Sequence, residues 1–112
     1  MVVQVKGYVA DVPYVRAFIH ELAPAWLDHV AVTSGLVPPA REGGFAWCDL
    51  GCGQGVTAAM LAAMHPGGQF YAIDAMPEHI DHGRRFADEA GVGNVSFHAA
   101  DFACRRSAAS EI

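Results

Sequence analysis

The sequence predicts an α/β fold: a small parallel sheet whose strands lie in the order third, second, first, with helices packed on it and a helical segment leading in. Three observations predict it. From residue 45 to residue 101, short apolar runs alternate with helical patterns as strand–helix–strand–helix–strand, which requires right-handed crossovers and parallel pairing. The first run, Phe45-Ala46-Trp47-Cys48-Asp49-Leu50, shows little alternation of apolar and polar residues, as expected of a strand covered on both faces. It passes at once into Gly51-Cys52-Gly53-Gln54-Gly55, a turn with glycines two apart where the first strand gives way to its helix.

Residues 1–44 form the lead-in and linker. Residues 1–12 are mixed, with Val3 and Val5 alternating briefly before Gly7. From Pro13, PYVRAFIHEL sets Val15, Phe18, Ile19 and Leu22 at helical intervals. Proline suits a first helical position, so a helix is expected there, ending at Pro24 or giving way to the next. PAWLDHVAVTSG continues with Trp26, Leu27 and Val30 and stops at Gly35. LVPPAREGG, rich in proline and glycine, connects this lead-in to the core. In the core, residues 45–102, GVTAAMLAAMH reads as a helix halted by Pro66-Gly67-Gly68, and QFYAID as the second strand. PEHIDHGRRFADEAG is the second helix, with Pro77 at its start and Gly91 past its end, and NVSFHAAD is the third strand. Residues 103–112 are polar and aperiodic and are expected to be disordered.

With 112 residues, 53% of them hydrophobic and 17% charged, the chain has the profile of one globular domain with a modest core. A net charge of -5 argues against nucleic-acid backbone binding, which needs clustered Lys and Arg. The pairs Arg84-Arg85 and Arg105-Arg106 are too small to reverse this and read as solvated surface. No apolar stretch approaches the ~18 residues of a membrane span, and MVVQVKGYVADV lacks the long apolar region of a secretion signal. Cys48, Cys52 and Cys104 form no C-x-x-C and no paired framework, which fits a reducing cytoplasm, with Cys48 and Cys52 as small apolar fillers.

Metal and hydrolase chemistry find little support. His79 and His82 share a helix three residues apart, but no third ligand is placed and Glu78 and Asp81 flank them, so a solvated face is expected. HELAPAW lacks the second histidine of H-E-x-x-H, its place being taken by Pro24, and no G-x-S-x-G turn occurs. His98, on the third strand, reads as core or edge packing.

The glycine turn lies at the carboxyl end of a parallel strand, where ligands bind in open α/β sheets. Dinucleotides use G-x-G-x-x-G there, but after Gly51 and Gly53 the third position is Val56, and the glycine comes one residue early at Gly55. Asp49 beside the turn would repel a pyrophosphate and attract an ammonium or sulfonium. S-adenosylmethionine carries both cations and no phosphate. Asp74 ends the second strand, nineteen residues after Gly55, where an acid can accept from ribose hydroxyls. It also fits a helix N-terminal carboxylate ahead of Pro77. Asp101 ends the third strand and is followed by Phe102.

The series Asp49-Leu50-Gly51-Cys52-Gly53-Gln54-Gly55, with Asp74 and HAADF at residues 98–102, resembles the class I S-adenosylmethionine-dependent methyltransferases over residues 45 to 102. The resemblance implies a partial Rossmann-like methyltransferase fold in which Gly51, Gly53 and Gly55, with Cys52 between them, line the methionine part of the cofactor beside Asp49. It places Asp74 on the ribose, Ala75 and Met76 at the adenine edge, and Asp101 and Phe102 as the close of the adenine pocket. Lead-in segments of such enzymes fold over the cofactor, which makes Tyr8 and Tyr14 candidate contacts. The full family sheet has seven strands in the order 3-2-1-4-5-7-6, so this chain supplies strands one to three.

Two consequences are expected. FAWCDL becomes an apolar edge, open to self-association or to a missing C-terminal half unless the lead-in covers it. The cofactor pocket is nearly complete while the acceptor site is not, so the isolated chain is expected to be inactive, with its catalytic residues and acceptor unassigned; the acidic charge favours a small-molecule acceptor. The alternatives carried forward are a fragment of a nicotinamide-dependent oxidoreductase and a non-catalytic nucleoside-binding or interaction module.

Overall fold

The computed structural model describes residues 4–5, 8–9 and 17–101. Two short strands, β1 (Gln4–Val5) and β2 (Tyr8–Val9), pair antiparallel, Gln4 with Val9 and Val5 with Tyr8. Helix α1 (Pro24–Thr33) follows. The core is a parallel sheet of β3 (Phe45–Leu50), β4 (Gly68–Asp74) and β5 (Val95–Ala99), in the order β3-β4-β5. Helix α2 (Val56–Met64) joins β3 to β4, and α3 (Pro77–Ala90) joins β4 to β5. In the register, Trp47 faces Phe70 and Phe70 faces Val95, so the strand order is the third–second–first arrangement expected from sequence.

Both crossovers step the same way across the sheet. Right-handed connections laid in one direction put their helices on one face, and the core lies there. Trp47, Phe70 and Phe97 from the strands meet Ala58, Leu61 and Ile80 from the helices. Phe70, Leu61 and Ile80 are fully buried, each worth ~1.5–3 kcal/mol relative to exposure. Helix α2 approaches closely because Ala58, Ala59 and Ala62 carry so little side chain on its buried positions. Helix α3 buries a stripe of Ile80, Gly83 and Ala87. At Gly83 a Cβ would stand 2.5 Å from Cε1 of Phe97, so the bare helix position is what seats that ring. The Asn94 amide fastens the far end of the layer, donating to the carbonyls of Ala62, His65 and Gly68 at 2.9–3.0 Å.

Among the described residues the other face of the sheet is open along β3, while Ile73 of β4 is buried there. Ala46, Cys48 and Leu50 are exposed, Leu50 by 63%, and Tyr71 stacks against His98 with centroids 6.4 Å apart. The expectation that β3 is covered on both faces is therefore corrected: burial alternates along it, with Trp47 as its buried residue. A helix of a right-handed crossover reaches the second face only where the connection runs the opposite way across the sheet.

The expected helix through residues 17–22 is corrected too. Ile19 is extended (φ -108, ψ 100) and His20–Leu22 make only a 3-10 turn. The amide of Ile19 goes to the Thr57 hydroxyl, and Phe18 and Leu22 pack on the core, so their helical spacing serves packing rather than a helix. Helix α1 begins at Pro24 as expected and is followed by Gly35 at φ 80, but Trp26, Leu27 and Val30 remain nearly half exposed. Arg84 is not merely solvated, since its Nη2 donates to the Phe97 carbonyl at 2.7 Å. Residues 13–16, including Tyr14, lie outside the described residues, as do Phe102, the segment 103–112 and the side chain of Tyr8. Among the described residues, no helix is long and apolar enough to cross a membrane.

Gly83→Ala is expected to lower stability by about 1–3 kcal/mol through overpacking against Phe97. Gly93→Ala, where a Cβ meets nothing within 4 Å, should leave it almost unchanged. Paired urea unfolding curves check the difference.

Candidate functional site

Strand β3 delivers Asp49 and Leu50 to the carboxyl end of the sheet, and residues 51–55 turn the chain into α2. Gly51, Gly53 and Gly55 sit at φ 96, 59 and 79, left-handed values that residues with a Cβ rarely adopt. Gly55 has a second reason, because a Cβ there would overlap the ring of Phe97. Gly51 has the opposite surroundings: a Cβ would meet nothing within 4 Å. It lies on a cavity of about 350 Å³ lined also by Asp49, Cys52, Gly53, Gln54 and Gly55, by Val56 and Thr57 of α2, and by Ile19 and Leu22 of the lead-in.

The turn is held by the neighbouring strand rather than by its own. The amides of Gly51 and Cys52 both donate to the Ile73 carbonyl of β4, at 2.7 and 2.9 Å. The amide of Gly53 donates to Oδ1 of Asp74 at 3.2 Å. Oδ2 of Asp74 accepts from the amide of Met76 at 3.0 Å and pairs with Nδ1 of His79 at 2.9 Å. With backbone amides donating to both carboxylate oxygens, Nδ1 is the proton donor of that pair. Asp74 is 5% exposed and His79 7%, so the expectation of a solvated His79 is corrected. The first turn of α3 tucks under the end of β4 and carries His79 onto the carboxylate. His79 is one site residue that the sequence reading missed, having placed it on a solvated face. Its signal was a histidine two residues past Pro77 and five past Asp74.

A strap, residues 17–22, forms one wall of the cavity. The Thr57 hydroxyl accepts from the amide of Ile19 at 2.9 Å and donates to the carbonyl of Ala17 at 3.3 Å. The indole of Trp47 donates to the Leu22 carbonyl at 3.0 Å. These bonds fix an apolar segment across a polar turn. They identify Thr57, Ile19 and Leu22 as site residues that no local pattern announced.

The cavity is electrostatically negative. Burial pushes the Asp49 carboxyl above its ordinary range, and the nearby Asp74 charge pushes it further. Burial also drives the Cys52 thiol far up, reinforced by Asp74 and Asp49, and raises the Cys48 thiol, reinforced by Asp49. Both shifts disfavour the thiolate, the nucleophilic form of the side chain. Among the described residues, no group of His, Cys, Asp and Glu side chains is arranged to hold a metal ion.

Of the residues singled out in the sequence, Asp49, Gly51, Cys52, Gly53 and Gly55 come together on the cavity. Asp74, Ala75 and Met76 lie at the end of β4 and do not line it. Asp101, two residues past β5, is buried, and the amide of Ala100 donates to the Asp74 carbonyl at 3.0 Å, which sets the two acidic strand ends side by side.

A family model described as a methyltransferase domain matches residues 42–107. The chain is 40% identical over 92 residues to the uncharacterized protein sll1526 of Synechocystis sp., covering 82% of this chain and 18% of that protein. It is 29% identical over 89 residues to the uncharacterized protein RP028 of Rickettsia prowazekii, covering 80% of this chain and 35% of that one. Its fold is similar to that of PKMT2 from Rickettsia typhi in complex with AdoHcy, with a TM-score of 0.69, 28% identity, and coverage of 79% of this chain and 17% of that one. The chain thus spans well under half the length of the proteins it matches. Glycine turn, acidic strand ends and family match agree: the chain belongs to the class I S-adenosylmethionine-dependent methyltransferases.

Proposed function

We propose that the crevice at the end of β3 holds S-adenosylmethionine, and that the domain to which this chain contributes transfers the methyl group to an acceptor. One observation carries this: a carboxylate, Asp49, stands on a cavity of bare glycines, with the charge of Asp74 behind it. Such a site attracts an ammonium or sulfonium and repels a pyrophosphate. Bound there, the sulfonium supplies an activated methyl, which an acceptor lone pair takes as the carbon–sulfur bond breaks. The chain's own residues orient and enclose. Gly51 admits the ligand to the backbone, Asp49 fixes its cationic end, and the strap keeps water from one side. Asp74 serves the ribose, Ala75, Met76, Asp101 and Phe102 the adenine, and Cys52 packs against the methionine chain. The AdoHcy carried by the structurally similar PKMT2 supports the same ligand class here. A small-molecule acceptor fits the net charge of -5 better than a polyanion does.

We propose further that the free edge of β3 pairs with a strand from the remainder of such a domain. A groove of about 400 Å³ between α1 and β3, lined by Leu27, Arg41, Phe45, Ala46 and Cys48 among others, runs beside that edge. The chain spans only 17–18% of two of its relatives, which supports a partner of this kind.

Calorimetric titration should show saturable AdoHcy binding that Asp49→Asn weakens by about tenfold or more, the scale of a lost charge-assisted hydrogen bond. Saturable heat with NAD and none with AdoHcy would sink the assignment. Asp49 also links pH to stability. A carboxyl raised in the folded state stabilises the fold while protonated, and that contribution is lost as pH rises from 3.8 through the raised value. Asp49→Asn should therefore match the parent in acid and exceed it in urea resistance at neutral pH, while AdoHcy affinity of the parent climbs over the same window. For the β3 edge, the chain alone should self-associate as concentration rises. Ala46→Lys should shift light scattering to a monomer, and a parent that stays monomeric at all concentrations would count against a sticky edge.

A further inference from the structure

The crevice at the end of β3 and the groove beside the free edge of β3 share a wall. Ile19 and Leu22 of the strap line the crevice. Two residues past Leu22, Pro24 opens α1 and lines the groove, with Leu27 one turn along. Trp47 joins the two spaces. It lines the groove, does not line the crevice, and donates its indole N–H to the Leu22 carbonyl at 3.0 Å. It is 8% exposed and packed on Phe70, with ring centroids 5.2 Å apart, so the core sets its position. The strap therefore has two arrangements. It is seated when Trp47 holds Leu22 and Thr57 holds Ile19, and released when water takes over those hydrogen bonds. A ligand touching Ile19 and Leu22 and a chain touching Pro24, Leu27 and Trp47 both find their full wall in the seated arrangement. Each then favours that arrangement and assists the other.

We infer that the groove regulates the crevice: a strand seated against β3 tightens cofactor binding, and Trp47 is the positioning residue that transmits the effect. The inference rests on the two assignments proposed above, the cofactor and the incoming strand, and adds the coupling between them. The link bounds its size. One neutral hydrogen bond supports a change in affinity of about twofold to tenfold, a graded effect and not an all-or-none switch.

The test fills the groove from within. Ala46 is exposed and lines the groove but not the crevice, so Ala46→Phe sets a ring where the side chains of an added strand would lie. AdoHcy is titrated calorimetrically into the parent, Ala46→Phe, Trp47→Phe and the double variant, at concentrations where light scattering shows monomers. Ala46→Phe should bind AdoHcy about twofold to tenfold more tightly than the parent. Trp47→Phe keeps an aromatic ring and loses the indole N–H; it should bind more weakly, and in that background Ala46→Phe should bring no gain. A purely structural role for Trp47 would lower urea resistance yet leave that gain in place. Hydrogen exchange gives a second readout. In the parent, AdoHcy should slow the Leu27 amide, bonded to the Ala23 carbonyl, more than the Val92 amide, bonded to the Ala87 carbonyl. Unchanged affinity in folded Ala46→Phe, a gain that survives Trp47→Phe, or a Leu27 amide slowed no more than Val92 would each overturn the inference. If a variant does not fold by circular dichroism, exchange in the parent decides. Failure of AdoHcy to bind the parent is a separate result, since it removes the cofactor assignment and with it the basis for the coupling.

Discussion

The carboxylate of Asp74 accepts from the Gly53 amide, the Met76 amide and the His79 imidazole, and so joins the glycine turn, the end of β4 and the first turn of α3 into one unit. A buried carboxylate is costly unless its lone pairs are met, and here donors arrive from three separate elements. The arrangement depends on register. Because Leu50 lies opposite Ile73 in the parallel ladder, the turn after β3 falls beside Asp74, and the Ile73 carbonyl is in place for the amides of Gly51 and Cys52. The crevice is therefore a property of two strands rather than of the glycine sequence alone.

The same neighbourhood sets folding against binding. Asp49 is part-buried and near a second carboxylate, and both raise its carboxyl above the ordinary range. Packing alone would favour a neutral residue at this place. Retaining an acid makes sense where an arriving cation restores the balance, a pattern in which a site gives up stability for function. The three glycines belong to the same pattern, since residues without a Cβ turn the chain at φ 59–96 and leave the backbone open to a ligand.

Much of this was legible in the sequence. The three core strands and both core helices were marked by apolar runs between Gly and Pro punctuation, and Phe45–Leu50 was bounded correctly by Gly44 before and Gly51 after. Asp49 and the glycines announced themselves because a turn and a carboxylate are local features. What escaped was decided at a distance. Val15, Phe18, Ile19 and Leu22 have helical spacing, yet Thr57, roughly forty residues away, claims the amide of Ile19 and leaves an extended strap. His79 looked solvated beside Glu78 and Asp81, because nothing local tells that α3 enters beneath β4. The exposure of Ala46, Cys48 and Leu50 follows from crossover direction, which a strand's own composition does not encode.

The strap gives the crevice a clock. Among the described residues its polar anchors are one threonine hydroxyl used in both directions and one indole N–H, beside the packing of Phe18 and Leu22 on the core, without regular secondary structure before the short 3-10 turn. Segments held this lightly detach far more often than a whole domain melts. An occupant held against that wall would then have a way out through the lifting of residues 17–22, with the sheet beneath still intact.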